Sequence, residues 1–93
     1  MSLLKVKKLR EDVQLPSRAT QGSAGYDLYA CLDREITVAA GETVKIPTGI
    51  AIELESSGFA AFVFARSSMG TKHSVIPANA VGVIDSDYRG EVC

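Results

Sequence analysis

The chain has 93 residues, 46% apolar and 23% charged, which fits one globular domain over 1–93 and argues against disorder. Ten basic against 11 acidic side chains give a net charge of −1, so no electrostatic footprint for nonspecific nucleic-acid binding exists. The longest apolar run, Phe59 to Ala65, is far shorter than the roughly 20 residues of a membrane-spanning helix, and 2 cysteines make no disulfide framework.

The N-terminal Lys5, Lys7, Lys8 and Arg10 are not followed by an apolar stretch, so no secretory signal is read and a cytoplasmic setting is expected. Across 4–15, Leu4, Leu9, Val13 and Leu15 do not keep the roughly 3.6-residue period of a helix. Pro16-Ser17, Gly22 and Gly25 punctuate the next stretch, and Ile36-Thr37-Val38 is a short β-branched run. After Ala40-Gly41-Glu42, alternation predicts strands over 43–47 and, beyond Pro47-Thr48-Gly49, over 50–55, each offering one row of side chains to a core. Ser56-Ser57-Gly58 marks another turn, and the Phe-rich run 59–65 predicts a strand buried on both faces. Gly70 and then Val83-Ile84 complete a pattern of short strands between frequent turns. Such spacing indicates an all-β sandwich or barrel. A chain of this size buries only about 60–65% of its unfolded surface, which makes association with other copies an expectation.

Polar residues suited to chemistry gather in three segments. In Gly22-Ser23-Ala24-Gly25-Tyr26-Asp27-Leu28, Asp27 lies between an aromatic and an aliphatic neighbour, and taken alone the segment reads first as a turn entering a strand, with Asp27 bonding nearby backbone amides. Arg66-Ser67-Ser68-Met69-Gly70, read as a turn after the apolar strand, offers a planar guanidinium fork and hydroxyls suited to phosphate oxygens. A solvated surface turn fits those residues as well, and no P-loop pattern sharpens the choice. In Asn79-Ala80-Val81-Gly82-Val83-Ile84-Asp85-Ser86-Asp87-Tyr88-Arg89-Gly90, a β-branched stretch ends in carboxylates. Extended backbone would point Asp85 and Asp87 the same way, and a carboxylate so placed can take a proton from water. Asp-Ser-Asp is also a good turn sequence. The single histidine, His73, builds no metal site with Cys31 and Cys93 at any recognised spacing.

Together and in this order, the segments Ala24–Leu28, Arg66–Gly70 and Gly82–Gly90 resemble the first three motifs of the trimeric deoxyuridine triphosphatases (dUTP diphosphatases). Pro47-Thr48-Gly49-Ile50 between them matches too, and the similarity runs from about Leu15 onward. The resemblance implies a jelly-roll-like β fold, a homotrimer with active sites between subunits, and no nucleic-acid or membrane partner. It implies Mg²⁺-dependent cleavage of dUTP to dUMP and pyrophosphate by water attacking the α-phosphorus, a reaction that keeps uracil out of DNA. By the same resemblance, Asp85 activates the water and Asn79 belongs to the uracil pocket. Val83 and Ile84 help read the base and sugar through their backbone, and Tyr88 lies against the deoxyribose. Arg66, Ser67 and Ser68 hold the phosphates of a neighbouring subunit's site, while Asp27 supports the metal, through water.

Two departures accompany the match. The family usually has glycine where Ser68 stands, and an Arg-Ser-Ser triplet also occurs in the related dCTP deaminases. Those enzymes lack the Tyr26-Asp27-Leu28 pattern and the Asp85–Tyr88 run, so the phosphatase reading is preferred; a deaminase or bifunctional relative is the alternative. Family members also continue beyond Cys93, through a fourth motif with a glutamine and a Gly-rich, Phe-containing arm. The expectation is therefore that these residues lack the last strands, carry open sheet edges and are inactive alone. A non-catalytic nucleotide-binding fragment is the alternative from another class.

Overall fold

The structure, a computed structural model, describes residues 4–93, in which four short strands accompany one helix. The chain is all-β in class, and its described strands form two separate two-stranded sheets with no closed barrel. It divides into two compact units.

One unit takes in 5–52 and 89–93. Strand β1 (Lys5–Lys8) pairs with β2 (Ile50–Glu53). β2 also receives the segment after Gly90, where Ala51 bridges Glu91 and the Val92 N–H donates to the Ile50 carbonyl at 2.9 Å. Flanked on both edges, β2 becomes the centre of the unit. Ile50, only 1% exposed, joins Val13, Cys31, Ala51, Ile52 and Val92 as its buried apolar residues. Three consecutive buried residues at 50–52 depart from the predicted alternation, because Ala51 is covered as well as the isoleucines.

The approach to β2 is gripped from three directions. Cys31 N–H donates to the Pro47 carbonyl, Leu9 N–H to the Gly49 carbonyl, both at 2.8 Å, and Thr48 N–H to Val92 O at 3.1 Å. Buried Thr48 also donates its hydroxyl to the Val92 carbonyl at 2.5 Å, so its one polar group is satisfied within the core. Gly49 donates its N–H to the Glu91 carboxylate at 2.9 Å. On the surface, Arg10 reaches Asp33 at 2.6 Å and Asp12 at 3.3 Å. The hydrogen bond that Arg10 donates to Asp33, with the charge of Asp12, raises the Arg10 pKa above its ordinary value.

The other unit takes in 53–88, with Leu4 beside them. β3 (Ala61–Val63) and β4 (Gly82–Ile84) pair antiparallel, with Ala61 opposite Ile84, Phe62 opposite Val83 and Val63 opposite Gly82. The connection between them contains helix α1 (Ser67–His73).

Several expectations change here. The run 59–65 is not buried on both faces: only 61–63 form a strand, and Phe62 and Phe64 are 58% and 67% exposed. A two-stranded ladder leaves a face without a covering layer. The predicted strands at 36–38 and 43–47 are absent, since alternation without a neighbouring ladder leaves backbone groups without strand partners. The segment after Arg66 is a helix and not a turn. It escaped the periodicity because it buries no residue, so no apolar stripe betrays it.

Candidate active site

Most of the candidate residues belong to the β3–α1–β4 unit. α1 starts as β3 ends: Arg66 is extended at φ −65°, ψ 149°, and its carbonyl accepts the N–H groups of Met69 at 3.0 Å and Gly70 at 3.2 Å. Ser67 and Ser68 therefore open the first helical turn, exposed beside Arg66. The helix is closed locally. Ser74 takes the left-handed conformation at φ 53°, its N–H bonds Gly70 O at 3.2 Å, and Val75 N–H bonds Met69 O at 2.9 Å. These two bonds close the helix around a left-handed serine, at a position where glycine is usual.

The chain returns to β4 through a tight turn. Ala80 N–H donates to Pro77 O at 2.9 Å, and Val81 N–H donates to Asn79 O at 2.7 Å, with Ala80 between them at φ 63°. A bond from i+2 to i around a positive φ is a strained γ-turn, a conformation that L-residues adopt seldom. It folds Asn79 back on the start of β4: a Cβ added to Gly82 would lie 3.9 Å from Asn79 Nδ2 and 3.2 Å from Val63 Cβ. Ala80 was not anticipated from sequence, and an alanine held at positive φ leaves no compositional mark.

Val83 and Ile84 follow within β4, Val83 exposed and facing the same side as its partner Phe62, Ile84 half-buried. β4 is hydrogen-bonded along one edge only, so its other edge has no strand partner among the described residues. Asp85 comes immediately after. The Tyr88 N–H bonds the Asp85 carbonyl at 3.1 Å, so 85–88 is a β-turn. This corrects the extended geometry expected for Asp85 and Asp87: a bend intervenes, and the alternation that would align the two carboxylates ends with Ile84. Asp85 and Tyr88 are both exposed.

The ladder separates two groups of candidates. Val63, on the side leading to Arg66, lies opposite Gly82, whereas Asp85 leaves β4 past the Ala61–Ile84 pair. Arg66 and Asp85 thus extend from opposite ends of the hairpin. Asn79, Val83, Ile84, Asp85 and Tyr88, by contrast, lie on one continuous stretch running through the γ-turn, β4 and the Asp85 turn.

Asp27 belongs to the other unit. Its backbone pairs with Ser17 in an antiparallel bridge, Asp27 N–H to Ser17 O at 2.7 Å and Ser17 N–H to Asp27 O at 3.3 Å. Its side chain is half-buried. No group of three or more His, Cys, Asp or Glu side chains suited to a metal occurs among the described residues. A single carboxylate such as that of Asp27 still fits Mg²⁺, which typically keeps water and binds mainly through a nucleotide's phosphates. No helix among the described residues is long and apolar enough to cross a membrane.

The dUTPase family model matches residues 11–93. A protein of Desulfitobacterium hafniense (strain DSM 10664 / DCB-2), named deoxyuridine 5'-triphosphate nucleotidohydrolase, is 55% identical over 91 residues, covering 96% of this chain and 60% of its own length. Proteins of the same name from Polynucleobacter necessarius subsp. necessarius (strain STIR1) and Hahella chejuensis (strain KCTC 2396) are each 52% identical. They cover 99% and 92% of this chain, and 63% and 57% of their own lengths. The chain therefore spans about 60% of the length of these curated relatives. With a family model matching nearly every residue after the first strand, this chain belongs to the dUTPase family.

Proposed function

We propose that the protein carrying this chain hydrolyses dUTP to dUMP and pyrophosphate, within nucleotide metabolism. The observation that carries the reading is the continuous stretch from Asn79 to Tyr88. It offers a folded-back amide, a strand with one unpaired edge, and a carboxylate held at a turn. The backbone of Val83 and Ile84, with Asn79, suits a planar base carrying both hydrogen-bond donors and acceptors. Tyr88, fixed by its bond to the Asp85 carbonyl, would lie against the deoxyribose and leave no room for a 2′-hydroxyl.

In this reading Asp85 takes a proton from water as the water oxygen bonds the α-phosphorus. The bond from that phosphorus to the bridging oxygen breaks, and pyrophosphate leaves with the electron pair. Arg66, Ser67 and Ser68 donate to the phosphate oxygens. Their departure from the opposite end of the hairpin to Asp85 supports their serving the site of a neighbouring subunit, in a homotrimer. Exposed Phe62, Phe64 and Val83 give such an assembly apolar surface to cover. Mg²⁺ would neutralise charge on the triphosphate, and Asp27 is the residue proposed to hold it, through water.

The decisive variant is Asp85→Asn, in this chain continued to full length with the remaining residues of a curated relative. Loss of the general base should slow pyrophosphate release by about 10²–10⁴-fold. Binding of a non-hydrolysable α,β-imido dUTP should stay close to that of the parent. An unchanged rate removes Asp85 from the mechanism.

A further inference from the structure

Between Ser17 and Asp27 the chain makes a loop that the core does not shape, since every residue from 18 to 26 is exposed or half-buried. Its form comes from hydrogen bonds. The Ser17–Asp27 bridge closes the base, and the Ser17 and Tyr29 hydroxyls meet at 2.9 Å beside it. Within the loop, one terminal nitrogen of Arg18 donates to the Gln21 carbonyl at 2.7 Å and to the Ser23 carbonyl at 2.6 Å. Thr20 and Ser23 complete the closure: Thr20 N–H reaches Ser23 Oγ at 2.9 Å, and Ser23 N–H reaches Thr20 O at 3.1 Å. The Arg18 cation thus ties the first residue of the loop to the carbonyls of Gln21 and Ser23.

We infer that Arg18 is a positioning residue, a strap that holds the 18–26 loop closed so that Asp27 is presented in one geometry. The inference rests on the reading above in which Asp27 supports the metal. Bonds from a charged donor to carbonyls are stronger than neutral ones, and here no buried side chain shares the task. Without the strap the loop samples open forms, and the apparent affinity for whatever Asp27 holds falls by the fraction of closed loop lost. Lysine also brings three donors and a positive charge to the end of a long stem, so it can bridge two carbonyls where methionine cannot.

The test compares Arg18→Met, Arg18→Lys and Asp27→Ala in the chain continued to full length. Each is bound to α,β-imido dUTP, with Mn²⁺ affinity read by electron paramagnetic resonance. Arg18→Met is expected to weaken Mn²⁺ binding about three- to tenfold, with its melting temperature unmoved. Its turnover should recover at saturating metal, and Arg18→Lys should restore most of the affinity. Parent-like Mn²⁺ affinity in Arg18→Met, while Asp27→Ala weakens it, overturns the inference and leaves the metal reading standing. Loss of melting temperature and turnover in Arg18→Met without a metal effect also overturns it, as a purely structural role would do that. Parent-like affinity in Asp27→Ala removes the metal reading itself, and the inference with it.

Discussion

Gly49 shows how one residue can be indispensable without any chemistry of its own. Its φ is +72°, and a Cβ there would collide with Val13 Cγ1 and stand 3.2 Å from Cys31 Sγ. Val13 and Cys31 are both buried, so neither has space to retreat. Gly49→Ala is expected to destabilise by about 2–4 kcal/mol, combining a left-handed backbone penalty with overpacking. Urea unfolding measures this, and an unshifted midpoint contradicts the close packing. Pro47-Thr48-Gly49 was legible only as a turn; the need for glycine arises from residues 36 and 18 positions away, which no local pattern encodes. Asp85 lies between those cases. Its place after a β-branched run was legible, but its backbone turn competes with the extended form, and only the Tyr88-to-Asp85 bond decides between them.

Elements were legible where core burial or β-branching marked them. β2 emerged from the sequence because Ile50 and Ile52 enter the core, and β4 because Val83 and Ile84 are β-branched. β3 was located but its environment was misjudged, since a run of Phe and Ala does not say whether the face outside Phe62 is covered. α1 left no apolar signature and is organised by its ends. Its closing residue offers a direct test. Ser74 occupies the left-handed region at φ 53°, where serine has a Cβ penalty that glycine avoids. Ser74→Gly should therefore stabilise the protein by about 0.5–1 kcal/mol, the relief of strain being offset partly by greater freedom of the unfolded chain. A rise in melting temperature is the expected result, and a fall would contradict the cap as described.

At the scale of the molecule, the buried apolar set among the described residues is limited to six, against exposed large apolar side chains that include Phe59, Phe62, Phe64, Ile76 and Val83. The proposed association with further copies would answer that imbalance, and the mass from light scattering of the chain continued to full length should be that of a trimer. A stable monomer would refute the shared-site arrangement proposed for Arg66 and Asp85. The all-β class was legible from turn spacing, whereas the division into two units was not, because the segment after Gly90 joins β2 across a long sequence separation. The central claim is that the Asn79–Tyr88 stretch reads a uracil base on a deoxyribose and places Asp85 at its α-phosphorus. Pyrophosphate release from dUTP, dCTP, dTTP and UTP under identical conditions tests it most directly. Turnover confined to dUTP is the predicted result; equal turnover of all four nucleotides would contradict it.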